Sequence, residues 1–224
     1  MLAVYSYKLE TDYEVSYQSS QRHKRKDKKK EKDSLTFREF IPRYRKFVNL
    51  VGGVILLFFT HSLVSLFLIQ IITPVGGNSA SMGIAIFIAA AIEVPVMMNF
   101  ERLLDFKPVE YWLKISAVFF VIKNIVIYFA PNMQVVYFSQ TLQMGAYALA
   151  YPALVHYVDR VIANEDLVKG QSLIVTGMSI GAVLSSFLGG FMIDYLGVSL
   201  TLFIGIFVTI FGAYLVFRSV EETV

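Results

Sequence analysis

The sequence predicts an all-α membrane protein with six transmembrane helices. Three observations predict it. First, 56% of the 224 residues are hydrophobic, against about 45–50% in an ordinary soluble domain. Second, apolar stretches of spanning length follow one another, separated by short turns. A helix of about 20 residues, rising about 1.5 Å each, matches a hydrocarbon core of about 30 Å. Third, the cations are segregated: of 20 Lys and Arg, 13 lie within residues 1–46.

The elements follow in chain order. Residues 1–46 are a charged arm with a basic run, Arg22-His23-Lys24-Arg25-Lys26-Asp27-Lys28-Lys29-Lys30. Aromatic residues do not interleave this run, so the arm reads as a solvated cytoplasmic linker that fixes topology rather than a nucleic-acid or anionic-lipid site. Its first sixteen residues carry Glu10, Asp12 and Glu14 and no apolar core, unlike a signal peptide. The transmembrane body covers residues 47–217, with spans expected at 47–72, 82–99, 112–129, 135–157, 172–195 and 198–217. Turn-rich pieces separate them: Thr73-Pro74-Val75-Gly76-Gly77-Asn78, Ala130-Pro131-Asn132 and the single Gly197. Lipid offers no backbone partners, so each span must be helical; the alternation of a barrel strand is missing. Residues 218–224 are a short tail.

The remaining cations set the orientation. Arg102, Lys107 and Lys114 follow the second span, Arg160 and Lys169 the fourth, and Arg218 the sixth. The loops after the first, third and fifth carry none. This alternation predicts a multi-pass protein of the plasma membrane with both termini cytoplasmic.

Several residues are candidates for function or packing. Gly177-Met178-Ser179-Ile180-Gly181 matches the G-x-S-x-G of serine hydrolases, but it lies within a span and lacks the strand that motif requires. The better reading is spacing: Gly177, Gly181, Ser185 and Gly189 recur every four residues as a small-residue stripe for helix packing. Glu93 and Lys123 lie deep in their spans, where charge is costly and marks a cavity, a proton site or an ion pair. Gln140, Gln143, Tyr147 and Tyr151 follow helical spacing as a hydrogen-bonding stripe suited to a neutral hydroxylated solute, or to interhelical bonding. Asn124 and Tyr128 form an i, i+4 pair beside Lys123, and His61 and Ser65 another on the first span. His61 is a candidate proton relay or a structural partner; His156, near a helix end, reads as structural. With no Cys, no G-x-G-x-x-G, no P-loop and no H-E-x-x-H, neither a cofactor, a metal nor an enzymatic reaction is expected.

Three segments carry a family resemblance. Glu93-Val94-Pro95-Val96-Met97 resembles the E-[IV]-P signature of sugar efflux and phenylpropionate transporters. Asn99-Phe100-Glu101-Arg102-Leu103-Leu104-Asp105 is similar to the degenerate cytoplasmic loop motif that follows it. Gly189-Gly190-Phe191-Met192-Ile193-Asp194-Tyr195-Leu196-Gly197 resembles a G-G-x-x-x-D-x-x-G helix end. The chain thus resembles the C-terminal six-helix half-bundle of a major facilitator superfamily transporter, in the lactose permease, sugar efflux and phenylpropionate permease group. Within that group, Lys123 takes the place of an arginine implicated in proton coupling, and Gln143 and Ala146 those of a coupling histidine and glutamate. Ile84 stands where a sugar-binding glutamate would be. Glu93 and Lys123 are then the available charges. The resemblance implies proton-coupled transport of a small organic solute such as a sugar. Its implied partners are the lipid bilayer, protons, the solute, and an N-terminal six-helix half or a second copy. A methionine start within a linker points to a truncated or split reading frame. The alternative function is a non-transporting remnant or a membrane scaffold.

Overall fold

The computed structural model describes residues 35–220; the basic run 22–30, most of the arm and residues 221–224 lie outside the described residues. Every regular element among the described residues is helical. We number them α1 (Phe37–Arg43), α2 (Arg45–Leu66), α3 (Leu68–Ile72), α4 (Ser79–Met98), α5 (Phe100–Leu104), α6 (Val109–Tyr128), α7 (Met133–Thr141), α8 (Tyr147–Val161) and α9 (Leu167–Ser219). Four of these, α2, α4, α6 and α9, are long and apolar enough to cross a membrane.

Local chemistry sets the boundaries. Asn78 caps α4, its side chain accepting from the Ser81 amide at 3.0 Å, and Asn132 caps α7 through the Val135 amide at 3.2 Å. These caps satisfy amides that a helix start leaves unpaired. Helix α9 has 53 residues, which as a straight rod would extend about 80 Å. It is instead two limbs, 167–196 and 198–219, turned at Gly197 with φ 78° and ψ 166°. Space does not select glycine there, since a Cβ at this position would meet nothing within 4 Å. The left-handed backbone does.

Two helix interruptions differ from the expected spans. The segment 47–72 breaks at Phe67, between α2 and α3. The segment 135–157, expected as one helix, breaks at a 3-10 turn, Leu142–Met144, before α8 begins at Tyr147. At the break the chain lies close against α6: a Cβ on Gly145 would fall 2.2 Å from the Phe119 ring. The bare backbone of Gly145 is what lets that ring in.

Helix α2 is the centre of the bundle, held between the two limbs of α9, its most extensive neighbour. Gly177, Gly181, Ser185 and Gly189 of the first limb are all buried. A Cβ on Gly181 would lie 2.6 Å from the Ile55 carbonyl and 2.9 Å from the Phe59 amide; one on Gly177 would meet Val51, and one on Gly189 would meet Leu63 and Phe67. From the other side, a Cβ on Gly53 would lie 2.9 Å from the Gly212 carbonyl of the second limb. Ser179 is on the opposite, exposed face, its hydroxyl donating to the Val175 carbonyl at 2.9 Å.

Charged and charge-free segments separate to opposite ends. Arg160 of α8 pairs with buried Glu110 at the start of α6, 3.2 Å apart. The Asp166 carboxylate, before α9, accepts from the Leu35 amide at 2.8 Å and pairs with Lys169. At the other end Pro74, Ala130 and Val198 line one small cavity, so the three charge-free turns meet there. The outward faces are apolar: Phe203, Phe207, Phe211 and Tyr214 are exposed along the second limb of α9. Such faces suit hydrocarbon contact, and the protein is membrane-embedded.

Gly181 tests this packing. Its two nearest contacts are to backbone atoms, which cannot rotate away. Gly181→Ala should destabilise the bundle by about 1–3 kcal/mol, as overpacking does, and Gly181→Leu should do more. Gly83→Ala on α4, where nothing lies within 4 Å, should be near neutral. Thermal unfolding in detergent reads the difference, and equal melting of the Gly181→Ala and Gly83→Ala variants would contradict the packing.

Candidate functional site

A cavity of about 370 Å³ opens between α2, α4 and the interrupted α7–α8 segment. That is room for a small organic molecule. His61 and Ser65 come from α2, Ala89, Ala90 and Glu93 from α4, and Gln140, Gln143 and Tyr147 from the residues flanking the break. On α4, Ile86, Ala89, Ala90 and Glu93 sit at i, i+3, i+4 and i+7, so one helical face lines the cavity. Helix α4 buries only Ala85 against the rest of the chain, which leaves this face open.

Behind the cavity wall lies the buried ammonium of Lys123, on α6. It donates to Oε1 of Gln143. With that oxygen committed, the Gln143 amide nitrogen faces Nδ1 of His61 at 3.5 Å. An amide nitrogen only donates, so this contact favours the tautomer with Nδ1 unprotonated. The His61 ring stacks on Tyr147 with centroids 5.0 Å apart and planes 18° apart, and meets the edge of Phe120 at 6.1 Å. A chain of contacts thus runs from Lys123 through Gln143 to an imidazole at the cavity surface.

Two cavity groups have unused hydrogen-bonding capacity. Gln140 is buried, and among the described residues its Nε2 has no hydrogen-bond partner. An unmet buried donor costs free energy, and an acceptor atom on a bound solute would relieve it. Glu93 is half-buried on the opposite wall. It forms no ion pair with Lys123: among the described residues the hydrogen-bond acceptor of that ammonium is Gln143.

The structure brings together Glu93, His61, Gln140, Gln143 and Tyr147, with Lys123 one side chain behind. It does not bring Asn124 to the cavity. The Asn124 amide nitrogen donates to the Thr209 hydroxyl at 3.0 Å and to the Phe120 carbonyl at 3.1 Å. Thr209 in turn lies 3.0 Å from the Thr60 hydroxyl. This buried clamp ties α6 and the second limb of α9 to α2, so Asn124 serves packing. Tyr128 lies at the charge-free end with Phe203, Tyr151 is largely exposed, and His156 stacks on Phe100. Sequence reasoning missed Thr60 and Thr209. They are 149 residues apart, and neither is unusual in a membrane helix.

Gln143 is the residue whose replacement is most informative. Gln143→Leu removes the acceptor of a buried ammonium and should cost about 1–3 kcal/mol or more, because the stranded group is charged. Gln143→Glu supplies a carboxylate in its place and should melt at or above the native temperature. Equal melting of Gln143→Leu and the native chain would show that Gln143 does not hold Lys123.

The Major Facilitator Superfamily model matches residues 50–224, which takes in every described residue that lines the cavity. No curated protein matches the chain. The family match covers well over half the sequence and agrees with an all-helical, membrane-embedded architecture. The chain belongs to the Major Facilitator Superfamily, a family of membrane transporters.

Proposed function

We propose that the chain is the C-terminal six-helix half of a secondary transporter that moves a small organic solute, such as a sugar, in symport with protons. In this reading residues 1–46 correspond to the central cytoplasmic loop, 47–217 to the half-bundle and 218–224 to the tail. The six spans are α2 with α3, α4, α6, α7 with α8, and the two limbs of α9. The first half of the site would come from an N-terminal six-helix partner or a second copy. The protein resides in the plasma membrane with both termini cytoplasmic, an orientation supported by the collection of Arg160, Lys169 and Asp166 at one end.

One observation carries the reading: the backbone of α7–α8 breaks at the polar wall of the cavity, beside Gln140 and Gln143. Irregular backbone at membrane depth is tolerated where it lines a protein cavity, and interrupted helices commonly build transporter sites. Gln140, Gln143 and Tyr147 offer neutral hydrogen-bonding groups to hydroxyls, with Gln140 Nε2 awaiting an acceptor. Glu93 is the proton acceptor, since it faces the open cavity and is not held by a cation among the described residues. His61 reports the state of the Gln143–Lys123 contact to the solute. A scaffold role has no comparable observation behind it.

The test is transport in proteoliposomes carrying the chain with its partner half. Glu93→Gln keeps shape and removes the titrating group. It should abolish proton-driven uptake and leave solute exchange intact, measured as counterflow of labelled solute. Full proton-driven uptake by Glu93→Gln would remove Glu93 from the coupling step.

A further inference from the structure

We propose a second binding site, for the phosphate of an anionic phospholipid, where the chain enters the membrane. A cavity of about 320 Å³ lies at the junction of α1 and α2, lined by Arg43, Tyr44, Arg45, Lys46 and, from α8, Tyr157 and Val161. Arg43 and Arg45 bring two guanidinium groups to it, and among the described residues no carboxylate lines it. Four carboxylates near it are engaged elsewhere: Glu110 with Arg160, Asp166 with Lys169 and the Leu35 amide, Glu39 with the Thr36 amide and Asp159 with the Gln171 side chain. Among the described residues neither Arg43 nor Arg45 has a carboxylate partner; the Arg43 guanidinium lies against the Tyr44 ring instead. Concentrated positive charge in a concave site calls for an anion, and planar guanidinium groups match the oxygens of a phosphate.

The surroundings identify that phosphate as a lipid's. The cavity sits where the apolar helix α2 begins, at the membrane boundary. Beside it, α1 buries Phe40 in the core and turns Phe37 and Ile41 outward, each about half exposed. Outward apolar side chains next to a basic cavity would spend their exposure on acyl chains, while the headgroup phosphate sits among the cations. Tyr44, partly exposed at the cavity, supplies an amphipathic ring of the kind that favours this depth. A soluble phosphate would use the cations and leave Phe37 and Ile41 without a role. The anchor is rigid: the Tyr44 hydroxyl accepts from the Ala163 amide at 3.2 Å, and the Lys169 ammonium donates to the Leu35 carbonyl.

The test uses the full chain in neutral detergent, titrated with phosphatidylglycerol, phosphatidylcholine or inorganic phosphate, with bound lipid read by native mass spectrometry. Phosphatidylglycerol should be retained and phosphatidylcholine should not. The Arg43→Gln/Arg45→Gln variant should bind phosphatidylglycerol roughly tenfold or more weakly, given the contribution of each basic residue near a lipid surface. The charge-matched Lys28→Gln/Lys29→Gln variant should bind as the native chain does. Arg43→Lys/Arg45→Lys, which keeps the charge, should restore most of the binding. A photoactivatable phosphatidylglycerol on the native chain gives a readout that needs no variant to fold, and it should label peptides holding residues 43–47 or 157–161. Labelling confined to residues 1–34, an equal loss in the Lys28→Gln/Lys29→Gln variant, equal retention of phosphatidylcholine, or displacement of the lipid by inorganic phosphate at equal concentration would each overturn the proposal.

Discussion

The close approach of α2 to both limbs of α9 is the constraint on which the rest depends. Lipid tails are as apolar as leucine, so helices in a bilayer gain little from mere hydrophobic contact. Their association rests on packing, and packing improves as backbones come nearer. Gly177, Gly181 and Gly189 let the first limb reach α2, while Gly53 and Gly212 do the same for the second. The turn at Gly197 makes the two-sided grip possible, because it folds one long helix back along the same partner. Once α2 is fixed in depth and rotation, so is His61, and the wall of the cavity follows from it.

Polar groups inside this bundle fall into two kinds. Of those facing neighbouring helices, Asn124, Thr209 and Thr60 form a closed clamp, while the Ser185 hydroxyl has no partner among the described residues. Those facing the cavity are only partly satisfied: Gln140 keeps an orphan donor, and Glu93 has open space before it. Lys123 belongs to neither kind alone. Its ammonium is buried, yet its acceptor, Gln143, is itself a cavity residue. A solute that draws Gln143 away would change the surroundings of a buried charge, and that linkage ties binding to electrostatics.

Much of this was legible in the sequence, for physical reasons. Helical stretches in lipid have one backbone solution, so apolar length and turn chemistry were enough to read an all-helical membrane body and to mark the bend at Gly197. Deep charge is costly, so Glu93 and Lys123 stood out. The break at residues 142–146 was not legible: no proline marks it, and the ring of Phe119 that lies against Gly145 comes from another helix. The direct contact of Lys123 with Gln143 rather than Glu93 was equally hidden; depth along separate helices says little about which side chain lies between them. Asn124 sits next to Lys123 in sequence, but one helical step round it points toward Thr209, which the sequence could not show. The cavity-lining face of α4 had the right spacing in Ile86, Ala89, Ala90 and Glu93. On a helix apolar all round, however, that spacing gives no direction.

Transport through this cavity requires that the Glu93 face of α4 border water rather than lipid. The chain has no Cys, so single introduced thiols can be read without background. The decisive measurement is the labelling rate of Ala89→Cys and Phe207→Cys in membranes by a water-soluble, membrane-impermeant thiol reagent. Labelling should be rapid at Ala89, which lines the cavity, and absent at Phe207, which faces outward from α9. Protection of Ala89→Cys together with labelling of Phe207→Cys would contradict a water-filled site on this face of α4.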